Sequence, residues 1–197
     1  MAWDTERTRR LLLDAAAGEF SARGLAGARV DRIAAEAGVN KERIYSYFGS
    51  KEGLFTAVIG DRLAAVLDAV SITGSGIEAL TDYAGRIFDY HSAHPELARL
   101  TFWEGLEDGA PAAEEARAAA CARKVARLRE AMPELDDYAA RELLLTLVTL
   151  CDGYPSLPNL DRLYFGDDAS APDRTARRRA AVVATVEALA SALTAAG

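Results

Sequence analysis

The sequence predicts an all-α protein of about nine helices in two parts, and three observations carry that prediction. Apolar residues recur at helical spacing through most of the chain. Roughly a fifth of the 197 residues are Ala, the strongest helix former, while aromatics are 8% and β-branched runs are scarce. The breaks between periodic segments fall at Gly and Pro, which end helices for steric reasons.

The first helix, about Asp4 to Arg23, places Leu12, Ala16 and Phe20 on one face with Leu11 and Ala15 beside them, and Gly24 stops it before a GLAG loop. A second helix, about Arg29 to Ala37, groups Val30, Ile33, Ala34 and Ala37 and ends at Gly38. A third starts near Asn40 or Lys41 and runs to Phe48. Ser50 then caps a longer fourth helix from Lys51 to about Val70, with Leu54, Phe55, Val58, Ile59, Leu63, Val66 and Leu67 apolar. SITGSG, residues 71–76, reads as a flexible connection.

Four helical segments follow: Ile77 to about His94, ended by Pro95; Glu96 to Glu107, ended by DGAP; Ala112 to Met132; and Asp136 to Gly153, the most apolar run. Residues 155–172 contain three prolines and read as a long loop with a short helix in its middle. The last helix, Asp173 to about Thr194, collects Val182, Val183, Val186, Leu189, Ala190 and Leu193 on one broad face. The predicted division is an N-terminal domain at 1–50, a connecting helix and linker at 51–74, and a C-terminal domain at 75–197.

Composition removes several function classes. The longest apolar stretch, Leu143 to Cys151, is about half what a membrane-spanning helix needs. Asp4, Glu6 and Asp14 make the N-terminus unlike a signal peptide. Two cysteines, Cys121 and Cys151, are too few for a disulfide framework or a zinc site, so a reduced cytoplasm is the expected location. No Ser/His/Asp order, catalytic carboxylate pair, phosphate loop or dinucleotide fingerprint occurs, so an enzyme, a cofactor and a metal are not expected. His91 and His94, three apart, lack further ligands and Pro95 ends their helix.

The net charge of −7 argues against nucleic acid until its distribution is read. Residues 1–51 hold nine Lys/Arg against seven Asp/Glu, a balance of +2; the rest hold fourteen against twenty-three, a balance of −9. An anionic partner therefore belongs at the N-terminal end.

The informative block is Val30 to Phe55, VDRIAAEAGVNKERIYSYFGSKEGLF. Two helices meeting steeply over a short turn need a residue tolerant of positive φ, and Gly38 supplies it. They also need a small residue at the crossing, here Ala34, and apolar residues to seal the joint: Ile33, Ala37, Val39, Ile44 and Phe48. Together these meet the requirements of a helix-turn-helix. In the third helix Ile44 and Phe48 must face inward, leaving Asn40, Lys41, Arg43, Tyr45, Ser46 and Tyr47 outward. Such a basic, aromatic and hydrogen-bonding surface suits the DNA major groove. Arg43 can pair with guanine or a phosphate, and Tyr45 and Tyr47 can donate to phosphates. Lys51 opens the next helix, where free amides and the dipole favour an anion. Glu42 is placed favourably near a helix start by that same dipole.

This block resembles the DNA-binding region of TetR/AcrR-type transcriptional regulators, and FSARG in the first helix fits the same pattern; the resemblance covers about residues 7–59. It implies a three-helix DNA-binding domain joined by a fourth helix to a helical ligand-binding and dimerisation domain. By position, Tyr45, Tyr47 and Lys51 match phosphate-contacting sites, and Lys41 and Arg43 match base-contacting ones. The family usually caps the second helix with Ser or Thr; here Ala28 and Arg29 stand instead, so Arg29 is expected to replace that phosphate contact.

Residues 75–197 carry no signature of their own. The apolar faces of Asp136–Gly153 and Asp173–Thr194 exceed what a small bundle needs internally, and such surplus usually marks an interface. The resemblance implies that these last two helices pair with their mates in a homodimer. It also implies a small-molecule pocket, for which Phe88, His91, Leu100, Trp103, Cys121 and Leu147 are the candidates. The expected function is a homodimeric repressor released from a palindromic DNA operator by an unknown small-molecule effector. The alternative is a constitutive or architectural DNA-binding protein whose C-terminal domain only dimerises or binds a protein partner.

Overall fold

A computed structural model describes residues 2–107 and 110–195, with side chains from Thr5 onward. Among these residues there are ten α-helices and one 3-10 helix, and no strand: α1 (Ala2–Gly27), α2 (Val30–Ala37), α3 (Glu42–Phe48), α4 (Lys51–Ala69), α5 (Gly76–Ala93), α6 (Glu96–Glu104), α7 (Glu114–Ala131), α8 (Asp137–Ser156), α9 (Pro158–Phe165), η1 (Gly166–Ser170) and α10 (Arg174–Ala195). The all-α prediction holds. Part of the DGAP stop, residues 108–109, lies outside the described residues.

The chain forms two compact units, Met1–Ala65 with Glu96–Arg117, and Val66–Pro95 with Ala118–Gly197. In the first, α1 packs against both α2 and α6. Its core joins Leu12, Phe20, Ile33, Ile44, Leu54 and Val58 with Leu100 from α6, and Phe20 meets Phe55 edge-to-face with ring centroids 5.2 Å apart. The sequence division assigned 96–117 to the C-terminal part. In the structure this stretch packs with the N-terminal helices, because Leu100 is buried against them and the Trp103 indole N–H donates to the Ser21 carbonyl at 3.1 Å.

In the second unit α5, α8 and α10 pack on one another around Leu80, Ile87, Phe88, Leu143, Leu147, Val182 and Val186. Asp136 caps α8, its carboxylate accepting the Ala139 N–H at 2.7 Å. The 71–76 connection is tied down more firmly than its composition suggests. Ile72 is buried, its carbonyl accepts from Arg127 Nε at 3.0 Å, and the Ser71 carbonyl accepts from Arg86 at 2.9 Å.

The proline-rich stretch is helical almost throughout. Pro155 sits in the last turn of α8, and Pro158 opens α9, where a missing N–H costs nothing. Arg174 of α10 accounts for this order: it is buried, pairs with Asp161, and lies 3.8 Å from the Phe165 ring centroid.

Candidate nucleic-acid interface

The joint between α2 and α3 has the geometry its sequence requires. Gly38 is left-handed at φ 67°, ψ 30°. Its N–H donates to the Ala35 carbonyl at 3.1 Å, and that of Val39 to Ala34 at 3.0 Å. This paired closure of a helix end needs the αL residue that only Gly adopts without strain. Ile33, Ala34, Ala37 and Ile44 are buried around it, while Val39 and Phe48 are half-buried against the same core.

The start of α2 is capped from another helix. Arg29 is extended and makes no side-chain cap. Instead the Glu19 carboxylate of α1 accepts the Arg29 backbone N–H at 3.0 Å and Arg32 Nε at 2.7 Å. Burial raises the Glu19 pKa, but these bonds and the Arg32 and Arg23 charges outweigh it and hold the carboxyl below its ordinary range. Sequence reasoning noticed the missing Ser/Thr cap and not its replacement, because Glu19 is remote in the helical register. Gly53 was also missed. A β-carbon there would stand 2.1 Å from the Phe48 carbonyl oxygen, so the turn into α4 excludes any other residue without a backbone shift. The Ser50 hydroxyl, predicted as the α4 cap, accepts the Gly53 N–H at 3.0 Å.

The predicted contact residues lie along one short helix and its flanks. Asn40, Lys41, Arg43, Tyr45 and Ser46 are exposed, and Tyr47 and Lys51 half-exposed. Tyr45 keeps 49% of its surface although it is aromatic. Asn40 Oδ1 accepts the Glu42 N–H at 3.2 Å, so this residue also caps α3. The Arg43 guanidinium donates to the Tyr47 hydroxyl at 3.3 Å, and Lys51 Nζ to the Ala28 carbonyl at 3.4 Å. Lys41 is engaged with Asp31 at 3.2 Å, a contact that holds its ammonium above the ordinary lysine value. The Arg29 side chain is exposed, and only its backbone is bonded to Glu19.

The six residues expected to line an effector pocket do not come together in one unit. Leu100 and Trp103 belong to the first, packed on α1, because α6 folds with the N-terminal helices. Cys121 is exposed on α7. Phe88, His91 and Leu147 are buried in the second unit. An open groove of about 330 Å³ on that unit is lined by Leu150, Tyr154, Tyr164 and Arg174 among others, and by none of the six.

The same unit holds buried polar side chains, of which the sequence singled out only His91. His91 Nδ1 lies 2.8 Å from Asp152 Oδ1, both buried and off the line of a well-aligned hydrogen bond. The Tyr83 hydroxyl is buried with no hydrogen-bond partner, and burial pushes its pKa up to about 12. Burial likewise lowers the Lys124 pKa, against the opposing pull of Cys121 and Asp152.

A glycine-jointed helix pair presenting a basic, aromatic second helix defines a helix-turn-helix DNA-binding regulator. The tetR family of bacterial regulatory proteins matches residues 12–58, and the tetracyclin repressor-like C-terminal domain matches residues 79–187. The chain belongs to the TetR family and is a DNA-binding transcriptional regulator, not an enzyme. It is 39% identical over 177 residues to the HTH-type transcriptional repressor SCO4008 of Streptomyces coelicolor, covering 87% of this chain and 91% of that protein. It is 35% identical over 112 residues to the HTH-type transcriptional repressor NicS of Pseudomonas putida, covering 55% and 53%. Among solved structures, the putative transcriptional regulator SCO4942 of Streptomyces coelicolor superposes with a TM-score of 0.73 at 36% identity, covering 92% of this chain and 97% of that one. No helix of the described residues is long and apolar enough to cross a membrane.

Proposed function

We propose that the chain is a homodimeric repressor that binds a two-fold symmetric operator and leaves it when a small molecule binds in the second unit. The observation that carries this reading is the form of α3. It has seven residues, buries Ile44, and turns Arg43, Tyr45 and Ser46 outward. So short a reading surface touches few base pairs, and useful affinity and specificity require a second copy on the same duplex.

Exposed apolar side chains on α8 and α9 support dimerisation through the second unit: Tyr138 at 72%, Leu145 at 64%, Leu163 at 83% and Tyr164 at 80%. The two repressors named above support the direction of the output. Base reading is assigned to Arg43 and Lys41, the latter after release from Asp31. Arg29, Asn40, Tyr45, Ser46, Tyr47 and Lys51 are assigned backbone and hydrogen-bonding contacts.

For the effector, the supporting observation is the set of incompletely bonded buried polar atoms in the second unit, those of Tyr83, His91 and Asp152. Buried polar atoms without partners are costly, and a ligand that completes their bonds gains accordingly. The second reading, a constitutive DNA-binding dimer, is favoured by the complete burial of Phe88 and Leu147, which leaves those two side chains filled in.

The test is selection of bound duplexes from a random pool at about 150 mM salt, where phosphate contacts are already weakened. A two-fold motif is expected; sequence-blind, salt-sensitive binding would overturn operator recognition. Screening small molecules for release from the selected duplex then separates the two readings, since a constitutive binder is released by none.

A further inference from the structure

The nine cations of residues 1–51 divide into two classes once their partners are known. Arg10 pairs with Asp14 and Asp61, Arg23 and Arg32 with Glu19, and Lys41 with Asp31. Among the described residues Arg7, Arg9, Arg29, Arg43 and Lys51 have no carboxylate partner. Arg29, Arg43 and Lys51 belong to the α2–α3–α4 surface already assigned to DNA. Arg9 lies elsewhere in the chain, on the first turns of α1, and is exposed.

Its guanidinium nevertheless sits at the end of the recognition helix. Arg9 Cζ lies 5.6 Å from the ring centroid of Phe48, the last residue of α3. The Phe48 ring meets Tyr47 edge-on with centroids 6.3 Å apart, and the Tyr47 hydroxyl in turn accepts from Arg43 at 3.3 Å. Arg43, Tyr47, Phe48 and Arg9 thus form one contiguous strip, with Lys51 three residues beyond Phe48 in the chain.

Attraction to the ring restricts the motion of a guanidinium held near it. Its in-plane N–H donors stay free, and their planar fork matches the oxygens of a phosphate. The adjacent Arg10 shows the contrast: its charge is absorbed by Asp14 and Asp61.

We infer that Arg9 is a further DNA contact, a guanidinium positioned by Phe48 to donate to a backbone phosphate flanking the half-site. This rests on the reading of α3 and the start of α4 as the DNA-facing surface. The contact is to phosphate, so it strengthens binding to all sequences and selects none.

The test compares full-length wild type with Arg9→Ala and Arg9→Lys, titrating the selected duplex and a scrambled one over a range of salt. Ala is a strong helix former and Arg9 is exposed, so α1 is retained. Arg9→Ala is expected to weaken binding to both duplexes alike, by about tenfold per protomer at 150 mM salt. It is also expected to reduce the slope of log K against log salt by about 0.9 per protomer. Arg9→Lys keeps the charge and should keep the slope, with an intermediate affinity.

An unchanged slope for Arg9→Ala overturns the assignment. If the melting temperature falls at the same time, Arg9 only packs on Phe48. A loss confined to the selected duplex overturns it as well, because that is base reading. Failure of the wild type to bind either duplex would overturn the underlying DNA-surface reading and Arg9 with it, an outcome visible before any variant is made.

Discussion

Trp103 lies directly over Gly24: a β-carbon on that glycine would stand 2.9 Å from Cε3 and 3.0 Å from Cδ2 of the indole. Gly24 also has positive φ, at φ 66° and ψ 177°, a backbone region essentially confined to glycine, so it both breaks α1 and admits the ring. The indole N–H, donating to the Ser21 carbonyl, fastens α6 to α1 one turn before that break. Gly24→Ala should therefore destabilise the first unit by about 2–4 kcal/mol, combining positive-φ strain with overpacking. Trp103→Phe, which keeps a ring and loses the N–H, should cost about 1 kcal/mol from the lost bond. Thermal melting of the two variants checks the order; a Gly24→Ala protein as stable as wild type would refute the close packing.

Glu19 caps α2 in its ionised form, which gives the first unit a defined pH dependence. Its folded pKa is below the ordinary value of 4.5, so the stabilisation is complete above that value and is lost as pH falls through the lowered one. Glu19→Gln should lower stability by about 1–2 kcal/mol at neutral pH, with the difference from wild type shrinking as the solution is acidified below pH 4. Urea unfolding at pH 7 and pH 3 measures both; a constant difference would contradict an ionic cap.

The exposed residues of α3 should separate by role. Arg43→Ala is expected to alter which base is preferred in the selected motif, at about 1–3 kcal/mol of lost discrimination. Tyr45→Phe and Lys51→Ala should weaken binding to all sequences alike. Repeating duplex selection with each variant decides: an Arg43→Ala motif identical to wild type would remove Arg43 from base reading.

The two thiols differ in surroundings. Cys121 is exposed, whereas Cys151 is buried and its pKa is pushed up to about 12, chiefly by that burial. Titration with a chromogenic disulfide at pH 8 should release one equivalent per chain quickly, from Cys121. The second should appear only in denaturant. Two fast equivalents would mean that the second unit opens readily in solution.

Tyr83 offers a probe of the buried polar atoms of the second unit. Its hydroxyl lacks a hydrogen-bond partner, so Tyr83→Phe should leave stability unchanged or raise it by up to about 1 kcal/mol. In the effector reading the same change weakens the response to the releasing molecule. A clear loss of stability in the variant would show that the hydroxyl is bonded after all.

The helix-turn-helix was legible because its rules are local. Gly38, Ala34 and Ile44 act within a dozen residues of one another, and each residue type answers a steric demand at a fixed spacing. The outward face of α3 follows from the same helical period. Residues 155–172 resisted for the opposite reason: their three prolines signal a loop, while the order of α9 comes from Arg174, which pairs with Asp161 and stacks on Phe165. The effector candidates share only an apolar helical face. Face identifies burial but not the neighbours across it, and Leu100 and Trp103 fall in a different unit from Phe88, His91, Cys121 and Leu147.

By itself the sequence determined the helical class, the DNA-reading joint and the membership of α3 in it, since propensity, periodicity and turn sterics are written in neighbouring residues. Only the tertiary structure decided that Glu19 caps a helix whose N-cap lies ten residues later, that Trp103 fastens to a carbonyl 82 residues earlier, and which N-terminal cations pair with carboxylates. Those outcomes depend on which side chains meet when distant segments pack, and a pairing across such separations leaves no periodic trace along the chain.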